Sequence, residues 1–192
     1  MFNKKIHAAV ICGVTAVGLL LSSPAMAAFT ADEAAELEAE AKQTQEKFQA
    51  NTKGAEEIFA KAKGILVCPT IRKAGIGIGA EGGKCVLTSG SDKPLHYSTR
   101  ALKAGLILGA QKHSMILVIN TDEALAKFTS GEREWEFGVD VSVAVAKFGA
   151  GGDIDTTNLK ADIISFLFGE KGLMGDLSWE GSSFKKLDVK TK

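Results

Sequence analysis

Three observations predict an α+β fold: N-terminal helices, then a strongly coiled antiparallel sheet forming a partly closed barrel, with one short inserted helix. Residues 30 to 63 are rich in Ala, Glu, Lys and Gln, which are good helix formers. From Gly64 onward, short apolar runs are separated by Gly, Pro, Ser, Asp or Lys, the texture of strands and turns. Between Trp135 and Val145 an apolar side chain stands at every second position, the mark of a strand with one buried face.

The composition suits an ordinary globular domain. Of 192 residues, 45% are hydrophobic and 24% charged, with 21 Gly and 3 Cys, which excludes a disordered chain, a collagen and a small disulfide scaffold. Lys+Arg and Asp+Glu are 23 each, so bulk charge gives no reason to expect a nucleic-acid partner. Any charged partner must be met locally.

Residues 1–27 read as a signal peptide. Lys4 and Lys5 precede an apolar run from Ala8 to Leu21, and Ala25-Met26-Ala27 ends it with a small-x-small site. That run is short of the roughly 20 residues a spanning helix needs. Ile11 before Cys12 is not the small residue a lipobox requires. The expected mature chain begins at residue 28 and is periplasmic or secreted. It comprises a helical lead-in over 28–57 and a main domain over 58–192, and it keeps Cys68 and Cys85. In an oxidising compartment that pair favours a disulfide, with two buried free thiols as the alternative.

Within the lead-in, Thr30 and Glu33 fit a capping box. The helix to about Ala50 then has a thin apolar stripe, chiefly Leu37 and Phe48. Gly54 allows a break, and Ala55 to Lys63 reads as a second helical piece. Strands are expected at Ile65–Ile71, Ala74–Ala80, Lys84–Thr88, Ala104–Ala110 and Ser114–Asn120, with the inserted helix at Thr121–Thr129 capped by Thr121. The alternating strand from Trp135 would exceed about 35 Å and should bend near Gly138.

Several motifs fail on inspection. Gly75-Ile76-Gly77-Ile78-Gly79 with Gly83-Lys84 resembles a phosphate loop, but Ile78 and Cys85 stand where Gly and Ser or Thr are required. On a strand, Gly75, Gly77 and Gly79 share one face, a flat strip that a backbone, an aromatic ring or an acyl chain could approach. His96 and His113 lack clustered partners, so no metal site is expected. Asp153 to Asn158 begins like a calcium loop but lacks its Gly and closing Glu. No signature supports a nucleophile and base, so neither catalysis nor a cofactor is expected. Ile163 to Met174 forms two apolar arms joined by Gly169-Glu170-Lys171-Gly172. It is either an ordinary core hairpin or an apolar surface tip that meets lipid.

Ala62-Lys63-Gly64-Ile65-Leu66-Val67, Gly75 to Gly79, Gly105-Leu106-Ile107-Leu108-Gly109-Ala110-Gln111, Thr121-Asp122-Glu123-Ala124-Leu125, Phe137 to Ala144 and Lys171-Gly172-Leu173-Met174 occur in the order seen in the SYLF-domain family. Residues 58 to 187 resemble that family. The resemblance implies a lipid-binding module. Eukaryotic relatives bind phosphoinositide-containing membranes and in some cases actin filaments, whereas bacterial relatives are exported. Actin is not an expected partner of an exported chain. Cys68 departs from the family's usual Phe, and Cys85 from its usual small residue.

The expected function is therefore an exported module that binds lipid or an anionic phospholipid surface. Phe166, Phe168, Leu173 and Met174 are the candidate acyl contacts, and Arg100, Lys103, Lys112 and Lys171 the candidate headgroup contacts. The alternative is an envelope structural or protein-interaction module that docks through the N-terminal helix.

Overall fold

The computed structural model describes residues 28–90, 92–130, 135–136, 143–146, 161–169, 172–173 and 182–190. The segment read as a signal peptide, the bend expected near Gly138 and the stretch from Asp153 to Asn158 lie outside them.

Two helices lead, α1 (Ala31–Asn51) and α2 (Ala55–Lys61). The Thr30 hydroxyl accepts the Glu33 N–H, and the Glu33 carboxylate accepts the Thr30 N–H at 2.9 Å, closing the capping box. That backbone donor holds the Glu33 carboxyl below its ordinary pKa, with Lys84 acting in the same direction. Ala34, Leu37, Ala41 and Phe48 form the buried stripe of α1. Gly54, in the left-handed region at φ 79°, turns the chain into α2.

Strands expected separately are fused. β1 (Gly64–Thr88) and β2 (Leu95–Ile119) are 25 residues each and pair antiparallel along their whole length, from Gly64 opposite Ile119 to Leu87 opposite Leu95. α3 (Asp122–Thr129) follows, with Thr121 as its cap. The remaining strands are β3 (Trp135–Glu136), β4 (Val143–Val145), β5 (Ile163–Gly169), β6 (Gly172–Leu173) and β7 (Ser182–Leu187). β2 is the hub of a curled half-barrel: β1 lies on one side, while β5 and β7 share the other. The sheet is mixed rather than purely antiparallel, because β4 pairs parallel with β5.

The β1–β2 ribbon doubles back at its middle. Ile76 faces Leu108 and Ile78 faces Ala104, so β2 spends residues 105–107 where β1 spends only Gly77. β2 takes the outside of the corner, and the two halves of β1 come against each other. The close approach explains the glycine strip. A Cβ on Gly75 would lie 2.4 Å from the Gly79 Cα, and one on Gly83 would lie 2.5 Å from the Thr70 carbonyl oxygen. What approaches the strip is therefore the strand's own backbone. Cys68 and Cys85, 17 residues apart, are joined by a disulfide across this contact, with Cα atoms 4.1 Å apart. In the chain-entropy account a loop of that size stabilises the fold by about 3 kcal/mol.

Two consequences can be measured. Gly83→Ala should destabilise the fold by about 1–3 kcal/mol, the usual penalty for forcing atoms into a packed interior, seen as a lower urea midpoint. The denatured, unreduced full chain should titrate one thiol, Cys12, rather than three.

Both faces of the curled sheet are covered at its base. Inside lie Leu66, Ile71, Leu87, Met115, Leu117, Ile119, Ile163, Leu167 and Phe184, closed by Phe128 of α3. Tyr97 sits among them and donates to the Phe128 carbonyl at 3.4 Å; burial pushes its hydroxyl pKa up to about 12. Outside, Val67, Val86, Ile116, Val118, Ile164 and Phe166 pack under α1 and α2. Burial on both faces is why these strands read as continuous apolar runs instead of alternating ones.

Candidate functional site

Among the expected lipid contacts, Phe166 requires correction. Its ring is fully buried, 5.1 Å centroid to centroid from Phe48 of α1. The β5–β6 hairpin does form, with Phe168 opposite Leu173 and Gly169 opposite Gly172. Its first arm is a core strand, because α1 covers the face that carries Phe166. Phe168 is half-buried, 5.3 Å from Phe48. Leu173 contributes its backbone to β6, while Met174 and Lys171 lie outside the described residues.

The α1 stripe is likewise consumed by the sheet. Phe48 also stacks on Phe59 of α2 at 5.7 Å. At the other end of the helix, Glu38 meets the buried His96 imidazole at 2.9 Å, and Glu33 meets the Lys84 ammonium at 3.4 Å. Lys84 also lies 4.7 Å over the Phe29 ring. The helix therefore has its apolar side committed to its own domain.

Among the described residues the most exposed large apolar groups stand elsewhere, at the corner of the ribbon. Ile76, Ile78 and Leu102 are 83%, 73% and 80% exposed. Leu102 faces Ala80, which places it diagonally beside Ile78 on the outward face. Ala74, Ala80 and Ala110 are exposed as well, so small apolar residues surround the three large ones.

Cations flank this apex. Arg72 faces Lys112 directly across the ribbon and both are exposed; Arg100, also exposed, faces Gly82, and Lys103 faces Gly79. Like charges placed opposite each other on a sheet repel, and an anion between them would relieve that cost. The two ribbon strands together carry Arg72, Lys73, Lys84, Arg100, Lys103 and Lys112 against one carboxylate, the buried Glu81. In contrast, α1 carries Asp32, Glu33, Glu36, Glu38, Glu40 and Glu46 against Lys42 and Lys47. A chain of zero net charge is thus strongly divided, and its positive part ends in hydrocarbon.

Residues 100–190 match the Ysc84 family model, described as "Las17-binding protein actin regulator". Over those residues, a little under half of the chain, the protein is similar to the Ysc84, or SYLF, family. No curated protein matches the chain. The SYLF match opens at Arg100 inside β2, so it includes Leu102 and Lys112, whereas Ile76, Ile78 and Arg72 lie on the strand that pairs with it. The Cys68–Cys85 bridge also lies before the matched residues and closes the corner that presents the apex.

Of the cations named from the sequence, Arg100 and Lys112 are exposed on β2 and Lys103 pairs with Gly79, whereas Ile76, Ile78 and Leu102 were not among the candidates. The signal was present. Ile76 and Ile78 fall on the face opposite the glycine strip, and a strand whose glycine face is pressed against itself must turn its other face outward.

Proposed function

We propose that this is an exported, non-catalytic SYLF module that attaches to anionic phospholipid surfaces through the apex of the β1–β2 ribbon. The observation that carries the reading is the exposure of Ile76, Ile78 and Leu102 at the corner of a ribbon whose strands carry six cations and a single carboxylate. Large apolar groups gathered at one point are uncommon on a soluble surface and mark an interaction site.

The magnitudes favour a membrane partner. Each large side chain buried in hydrocarbon is worth about 1.5–3 kcal/mol, and each nearby cation adds about 1 kcal/mol at an anionic surface. Three of each make binding firm but reversible. Cations alone, at about 3 kcal/mol, would hold the protein only weakly. Among the described residues no helix is long and apolar enough to cross a membrane. The basic-then-apolar segment at residues 1–27 supports export. The family description's actin regulation belongs to a partner that an exported chain would not meet.

Vesicle sedimentation tests the reading. The protein should co-sediment with phosphatidylglycerol vesicles at low salt, less at high salt, and weakly with phosphatidylcholine. Failure to sediment with either lipid at any salt would overturn it.

A further inference from the structure

A cleft of about 310 Å³ opens between α1 and the β1–β2–β5 surface, lined by none of Ile76, Ile78 and Leu102 but sharing Lys112 with the cations that flank them. Lys47 and Thr44 reach it from α1, Thr70 from β1, Lys112 and the buried His113 from β2, and Phe168 from β5. Among the described residues that line it there is no carboxylate. The neighbouring cleft, about 480 Å³ on the other side of Pro69 and Thr70, has the opposite character. There Glu33, Glu36 and Glu40 stand with Arg72 and Lys84, and Glu33 already holds Lys84.

The geometry points to the first cleft as a binding site for a phosphate monoester, a function beyond the attachment proposed for the apex. Two ammonium groups match the charge of a monoester, which is −1.5 to −2 near neutrality. The Thr44 and Thr70 hydroxyls supply further donors around its oxygens. The half-buried Phe168 ring gives a short carbon stem an apolar wall. A carboxylate ligand would bring one charge to two ammonium groups. The ester can belong to a soluble metabolite or to a lipid headgroup such as phosphatidic acid, and both present the same group.

Calorimetry of the full chain with glycerol 3-phosphate and with inorganic phosphate tests this. Saturable binding in roughly the millimolar range or tighter is expected. Lys47→Glu should weaken it at least about tenfold, Lys47→Arg should retain it, and Ile78→Asp with Leu102→Asp should leave it unchanged, which separates this site from the apex. Vesicles then identify the source of the ester. If the wild-type chain prefers phosphatidic acid over phosphatidylglycerol and Lys47→Glu loses that preference, the ligand is a headgroup. If glycerol 3-phosphate binding depends on Lys47 but the chain shows no such lipid preference, the ligand is soluble. No saturable binding of either probe, or equal binding by wild type and Lys47→Glu, would overturn the proposal.

Discussion

Truncating Phe166 to alanine should lower the free energy of unfolding by about 3–5 kcal/mol, the range for large-to-small changes at fully buried aromatic sites. Phe166 is buried to 0% exposure and meets Phe48, which in turn meets Phe59 and Phe168. This aromatic cluster ties α1 and α2 to β5, so its loss removes transfer energy and also leaves a cavity that the rigid sheet cannot fill. With total stabilities of only about 5–15 kcal/mol for natural domains, the alanine variant will sit near its unfolding threshold. Phe166→Leu supplies a graded control and should cost less. Phe168→Ala should also cost less, because that ring is half-exposed. Urea denaturation with a constant slope reads all three. A change below about 0.5 kcal/mol for Phe166→Ala, typical of surface positions, would contradict the placement of this strand in the core.

The second large effect is on binding rather than stability. Ile78→Asp combined with Leu102→Asp should reduce partitioning onto phosphatidylglycerol vesicles by more than about 100-fold. Losing two inserted side chains forfeits about 3–6 kcal/mol, and each 1.4 kcal/mol is a factor of ten. The introduced carboxylates also oppose the anionic surface. Both positions are more than 70% exposed, so the unfolding free energy should stay within about 0.5 kcal/mol of wild type. Unaltered vesicle binding by this folded variant would remove the apex from the mechanism. The Phe166 and apex variants thus separate two readings of which greasy residues meet lipid: one set holds the fold together, the other is free to leave water.

Local chemistry was legible in the sequence and long-range coverage was not. Thr30 with Glu33 and Thr121 ahead of Asp122 marked two helix starts correctly, because capping is decided within four residues. The continuous runs at Met115–Ile119 and Ile163–Leu167 announced strands buried on both faces. The same runs misled at Phe166, since nothing near that residue says that a helix more than one hundred positions earlier lies across it. Gly75, Gly77 and Gly79 read as one flat face of a strand open to a backbone, a ring or an acyl chain, and only the folding of β1 against itself decides that a backbone fills it. The Leu95–Lys103 part of β2 was missed because it mixes His, Ser, Thr and Arg with its apolar residues. Its burial is set by β1 and β7 on either side, not by its own pattern. Balanced overall charge hid the division between an acidic α1 and a basic ribbon, which a segment-by-segment count would have exposed.

The most direct test places a reporter at the apex itself. Ile78→Trp should bind phosphatidylglycerol vesicles with a blue-shifted emission, after subtraction of the Trp135 and Trp179 background, and bromines on the lipid acyl chains should quench it. An indole that stays red-shifted and unquenched while the protein is bound would show that the ribbon corner remains in water, contradicting attachment through Ile76, Ile78 and Leu102.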